Sequence, residues 1–248
     1  MRFVLRAAPV LAAALWIFPA PASSAGPPPP DLGKLTYYIE WRLIHAGDAV
    51  LDLHNSDGRM KLESAGLVST LFKVNDTYTV RFEPSFCAVE SLMDSKEGKR
   101  HRQTTVTYDR TQNRAAWVEH DVLDNNKVIR KAQVDIPHCV HDVLGGIMML
   151  RGSTLEPGQS MLAPMSDGRR AAQVKVDAQE REEITTPGGT FKTLRYEINL
   201  LNGVIYQRKG RVSVWLTDDA KKIPVQIRLR LAFPIGTVTL QLQKEEAK

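Results

Sequence analysis

Residues 35–53 read LTYYIEWRLIHAGDAVLDL. Leu35, Tyr37, Ile39, Trp41 and Leu43 alternate with Thr36, Tyr38, Glu40 and Arg42. Successive side chains of an extended strand point to opposite faces, so this period of two places one apolar face against a core. His45-Ala46-Gly47-Asp48 reads as a turn, after which Ala49, Leu51 and Leu53 alternate with Val50, Asp52 and His54. Two amphipathic strands joined this way predict a hairpin.

The pattern continues outward. Asn55-Ser56-Asp57-Gly58 is the next turn, and Met60, Leu62 and Ser64 extend the meander. Leu67, Val68, Leu71 and Phe72 have helical spacing, which predicts a short helix within 66–74. Strands are predicted over 78–82, 87–94, 102–108, 115–120 and 128–136, then over 160–165, 171–180, 190–200, 210–216, 225–231 and 236–243. Between the two series lies one convincing helix. Asp142 suits its N-cap, Val143, Leu144, Ile147, Met148 and Leu150 follow at helical spacing, and Gly152 ends it. Gly145-Gly146 weakens it. The expected fold is mainly β: a large antiparallel meander forming a strongly curved sheet or open barrel, with one short helix covering a mouth. No linker divides the strands, so residues 35–243 form a single domain, followed by a tail, 244–248.

The N-terminus carries a different signal. Arg2 and Arg6 precede an apolar run from Ala7 to Phe18, and small residues follow up to Ala25. This is the pattern of a cleaved signal peptide, residues 1–25, cut after Ala25 or after Ala22. The apolar run falls short of the roughly 20 residues that span a bilayer. No Cys stands at the cut, so no lipidation site is expected. Residues 26–34 read as a Pro-rich spacer, with Pro27–Pro30 extended and solvated. The two arginines leave with the leader and no acid does, so the net charge falls from +5 to +3. That mild charge, scattered among acids, argues against a nucleic-acid partner. Lys96, Lys99, Arg100, His101 and Arg102 cluster around Gly98. They read as a solvated hairpin turn or, more sharply, as a contact for anionic lipid or polysaccharide.

Cys87 and Cys139 are the only cysteines. In an exported chain a pair favours a disulfide, and the alternative is two buried thiols. His138-Cys139-Val140-His141-Asp142 is the one dense cluster of metal-type or nucleophile-type side chains. Without a second such cluster it reads as helix entry rather than a zinc site. Nucleophile-elbow, zinc-protease, phosphate-loop and dinucleotide motifs are absent. Glu182-Glu183 and Asp218-Asp219 read as solvated turn acids. No catalytic residue, metal or cofactor is expected.

Leu35, Tyr37, Ile39, Trp41, Leu51, Leu53, Val80, Phe82, Leu92, Val106, Tyr108, Trp117, Leu194, Tyr196, Ile198, Val212, Val214 and Leu229 could line one concave surface. A wide barrel leaves room for a ligand, whereas a sandwich would fill with these same side chains. If there is a cavity, the helix is its lid. The expected binding residues are then Trp41, Leu53, Val143, Leu144, Ile147, Met148 and Val214.

The order of short motifs resembles a known family. An opening of Leu35-Thr36-Tyr37, Trp41 and Ala46-Gly47 is followed by Asp142-Val143-Leu144 and Leu150-Arg151. Thr186-Pro187-Gly188-Gly189-Thr190-Phe191, Val214-Trp215-Leu216-Thr217-Asp218-Asp219, Ile223-Pro224-Val225 and Gly236-Thr237-Val238 complete it. The chain resembles the exported Gram-negative bacterial proteins of domain-of-unknown-function family 3108. The resemblance implies a periplasmic, β-rich protein and carries no catalytic residues. The expected function is non-enzymatic binding of a lipid, acyl chain or other amphipathic envelope component. Transient contact with envelope proteins or a membrane surface is expected too. The alternatives are an envelope polysaccharide-binding or assembly factor, with Trp41, Trp117 and Trp215 stacking on sugars, and a hydrolase using unrecognised carboxylates. N-terminal sequencing of the exported protein should begin at Gly26 or Ser23; an intact Met1 on the exported form would reject the leader.

Overall fold

The computed structural model describes residues 29–246. The expected leader and its cleavage site lie outside them, as do the last two residues. The chain folds into one antiparallel sheet of 14 strands. The first half comprises β1 (Gly33–Trp41), β2 (Ile44–Leu53), β3 (Asp57–Ser64), a short helix α1 (Gly66–Leu71), β4 (Val74–Glu83), β5 (Cys87–Glu97), β6 (Arg100–Asp109), β7 (Arg114–Asp121) and β8 (Lys127–Asp135). Helix α2 (Val143–Arg151) follows. The second half comprises β9 (Ser160–Ser166), β10 (Ala171–Thr186), β11 (Gly189–Ile198), β12 (Gly210–Thr217), β13 (Pro224–Leu231) and β14 (Thr237–Glu246). Each half is a meander. They join where β1 pairs with β14, with Ile39 opposite Leu240. The free edges are β8 and β9, so the sheet is not closed.

Alternation accounts for most of this. Leu35, Tyr37 and Ile39 are buried in β1, and Ala49, Leu51 and Leu53 in β2. The turn between them is Arg42-Leu43, both at positive φ, and not the expected His45–Asp48. Those residues belong to β2, where Ile39 faces Gly47 and Glu40 faces His45, leaving Ala46 as a bulge. Gly47 is needed there for close approach, since a Cβ would stand 2.3 Å from the Glu63 carbonyl oxygen. Glu182 and Glu183 also lie in a strand, β10, rather than a turn. Glu182 is held there by the Trp215 indole N–H at 2.7 Å and by Arg195. The proline spacer is not wholly solvated: Pro29 is buried, and the Pro30 carbonyl accepts from Arg151 at 2.7 Å. From the expected apolar face, Leu92 is instead 38% exposed.

The seam between the β9 edge and the first half of the sheet is bridged by the segment 136–142. The Val140 carbonyl accepts from Ala88 on β5, and His141 exchanges backbone bonds with Pro164 and Ser166 on β9. Cys139 is joined to Cys87, with Cα atoms 5.1 Å apart, which settles the cysteine pairing. The Tyr108 hydroxyl donates to the Ser166 carbonyl at 3.3 Å. Gly168 presses on Val106 so closely that a Cβ would come within 2.5 Å of it. These contacts hold the β9 edge against β5 and β6.

The segment ends in the helix cap. Asp142 is buried, and its carboxylate accepts from the backbone N–H groups of Leu144 and Gly145 and from the Tyr78 hydroxyl at 2.7 Å. Burial pushes its pKa up against these bonds. Burial holds the His141 imidazole below its ordinary pKa, while Nδ1 lies 2.8 Å from the Phe86 carbonyl.

Two outcomes are expected. Removing the disulfide, as Cys87→Ala with Cys139→Ala, frees a loop of 52 residues. It should lower stability by about 4 kcal/mol on the chain-entropy argument, read from denaturant melts. Free-thiol counting on the oxidised, unfolded protein should find none. The second outcome concerns pH. The native state keeps His141 neutral below 6.5, where the unfolded chain takes up a proton. Stability from this group is therefore present above 6.5 and drains away as pH falls. His141→Asn should show a shallower fall in Tm between neutral pH and pH 5 than the wild type. Equal slopes would refute it. Asp142, with its raised pKa, acts in the opposite sense at lower pH and is present in both proteins.

Candidate functional site

The concave face is hollow. A cavity of about 840 Å³ lies between α2 and the curved sheet, within the range typical of small-molecule sites. Its walls come from both halves. Tyr37, Leu51 and Met60 contribute from β1 to β3, and Val176, Ile198, Val214, Ile227 and Leu240 from β10 to β14. The space persists because the inward side chains are of middling size, with Ala49 and Ala163 among them. The Tyr37 ring faces the cavity, while its hydroxyl is satisfied by the Pro224 carbonyl at 2.6 Å.

Helix α2 closes one end. Leu144 meets Leu53 across Gly58, at the β2–β3 turn, and Gly145 sits on Phe82 and the Phe86 carbonyl. At the C-terminus Arg151 is 2% exposed, and donates to the carbonyls of Pro30, Lys221 and Lys222. Burial lowers its pKa to about 10, so it remains a cation, placed favourably at the negative end of the helix. The glycine pair that weakens the helix makes this seat fit. A Cβ on Gly145 would stand 2.7 Å from the Phe86 oxygen, and one on Gly146 2.9 Å from Met165 Cε.

The opposite end is the mouth. The polar lining gathers there, on the β9–β10 turn and the β11–β12 loop: Arg169, Arg170, Tyr206, Gln207 and Arg208. Arg170 reaches across to the Gly203 carbonyl at 3.2 Å, and its guanidinium faces the Gln207 amide oxygen. Leu200, Leu201 and Ile205 of the same loop turn inward. An apolar vessel with a cationic lip can hold a molecule that has a hydrocarbon body and a polar or anionic head.

Of the residues the sequence singles out, Val143, Leu144, Ile147 and Val214 line the cavity. Trp41, Leu53 and Met148 do not. Trp41 ends β1, where its indole N–H donates to the Ile235 carbonyl at 2.7 Å. Leu53 packs beneath the helix against Leu144. Met148 is wholly buried, with its sulfur 3.1 Å from Arg151 Nη1. The mouth arginines escaped sequence reading because a turn and a loop that meet across a separation of 33 residues bring them together. The His138–Asp142 cluster serves the seam: Cys139 is bridged, His141 and Asp142 are bonded as above, and the His138 carbonyl accepts from Arg110 at 2.9 Å. Among the described residues no three His, Cys, Asp or Glu side chains converge as a metal site would require. Each tryptophan considered for sugar stacking has a guanidinium over its ring: Arg42 on Trp41, Arg130 and Arg169 on Trp117, and Arg228 on Trp215.

Residues 36–243 match the family model described as "Protein of unknown function (DUF3108)". No curated protein matches the chain significantly. Among solved structures, the chain is similar to the beta-barrel-like protein of domain of unknown function DUF1849 from Brucella abortus. The identity is 8%, the TM-score 0.54, and the match covers 87% of this chain and 97% of that one. At that identity the likeness is one of fold. The chain is also similar to a DUF1089 family protein from Pseudomonas aeruginosa, at 13% identity and TM-score 0.41, over 75% of this chain and 90% of that one. A protein with YmcC-like fold from Bacteroides fragilis matches at 9% identity and TM-score 0.33, over 89% and 98% of the two chains.

Proposed function

The chain belongs to the DUF3108 family, and we propose that it is a non-enzymatic periplasmic binding protein that holds the acyl chain of an amphipathic molecule in its cavity. The observation that carries this reading is the 840 Å³ apolar space under a lip of three arginines. No acid, histidine, serine or cysteine is among its described lining residues, which favours binding over chemistry. Burial would drive association, at about 0.8 kcal/mol for each methylene taken from water. The arginines would hold the head at the mouth through charge-assisted bonds. Export by the N-terminal leader would deliver the protein to the compartment where such molecules cross between membranes. The sugar-binding reading gains less support, because the tryptophan faces are already covered by guanidinium groups.

A fluorescent fatty-acid probe tests this. Shortening a competing fatty acid by two methylenes should weaken displacement by about 15-fold. Ile147→Trp, which fills the cavity from the helix, should abolish probe binding and leave Tm unchanged or raised. Probe binding that ignores both chain length and Ile147→Trp would overturn the proposal. So would native mass spectrometry of gently isolated periplasmic protein that shows no retained acyl compound and no uptake of one.

A further inference from the structure

The loops at the mouth end of the strands form a rim. Strand pairing puts seven connections there: 42–43, 65–73, 98–99, 122–126, 167–170, 199–209 and 232–236. Several of them are hydrogen-bonded to a neighbouring connection or strand. The Gly98 N–H donates to the Lys73 carbonyl at 2.8 Å, and Ala65 to Ala46 at 2.9 Å. Trp41 donates to Ile235, Ala232 to Lys209 at 3.1 Å, and Arg170 to Gly203.

This rim is apolar where it should be polar. Leu43 is 88% exposed, Phe233 93% and Leu71 76%, and Leu67, Phe72 and Leu123 are exposed with them. None of the connections at the helix-plugged end carries a large hydrophobic side chain exposed to this degree, among the described residues. The rim is also cationic. Its loops hold Arg42, Lys73, Lys99, Arg169, Arg170, Arg208 and Lys209 against only Asp124 and Asp167. Of those cations, Arg169 alone pairs with a carboxylate among the described residues, that of Asp167.

Leu43 is placed against local preference as well. The Arg42-Leu43 turn has φ of 50° and 66°, the mirror-image hairpin turn that favours Asn and Gly. A leucine there has neither burial nor backbone preference to explain it.

We propose that this rim is a docking face for the surface of an anionic lipid bilayer. Leucine and phenylalanine tips enter the boundary between headgroups and acyl chains, and the surrounding cations meet the negative headgroups. The cavity's lip, on the same rim, then opens onto the membrane. The inference concerns the outer surface and stands whether or not the cavity carries an acyl chain.

Vesicle co-sedimentation with the mature protein tests it. Vesicles of phosphatidylethanolamine and phosphatidylglycerol should retain the protein, binding should weaken as salt rises, and pure phosphatidylcholine should retain little. Leu43→Asn suits the turn, so Tm should hold or rise while vesicle binding falls about tenfold. Phe233→Asp should act alike, and Lys73→Glu with Lys99→Glu should remove the preference for anionic vesicles. Equal binding to both vesicle types, or full binding by Leu43→Asn and Phe233→Asp, would overturn the proposal.

Discussion

Seven residues, 136–142, hold together what the strands leave apart. A sheet of 14 strands with two free edges has no hydrogen-bonded closure. The segment supplies one by other means: a covalent bond to β5, backbone bonds to β9, and a buried carboxylate that starts the plugging helix. Each depends on its neighbour. If His141 left β9, Asp142 would lose its alignment with α2, and the helix would lose the cap that offsets its two glycines. The floor of the cavity thus rests on the same contacts that hold the β9 edge against β5 and β6.

Hollowness follows from the size of the sheet. Fourteen strands enclose more space than middling side chains can fill, and a nine-residue helix occupies only one end. Nature's other solution would be larger inward residues, but Ala49, Ala163 and Gly146 stand where bulk would be required. Polar groups are kept to the rim, where water or a ligand head can satisfy them. The interior polar groups that remain, such as the Tyr37 hydroxyl and the Arg151 guanidinium, are turned outward onto backbone carbonyls.

Much of this was legible in the residues. Alternation located the strands, and Asp142 and Gly152 bracketed α2 as observed. The cysteine count pointed to the bridge. What alternation cannot convey is which strand meets which over long separations, and so the β1–β14 pairing, the seam and the arginine lip stayed hidden. Glycine misled twice in instructive ways. Gly47 looked like a turn residue, yet it permits close approach to β3, and Gly145-Gly146 looked like weakness, yet they allow the helix to seat. Trp41 and Met148 share the alternation or helical spacing of true cavity residues. They are diverted by a strand end and by a buried arginine, neither of which has a local signature.

The pairing of β1 with β14 bears on how the molecule comes to be built. The strand that emerges first must wait for the one that emerges last, roughly 200 residues later. Until then one side of β1 offers unpaired backbone groups to any passing strand. Long-range closure of this kind folds slowly. A chain threaded across a membrane from its N-terminus would arrive on the far side with its first meander formed and an adhesive central edge. Its early life is therefore a race between its own tail and its neighbours.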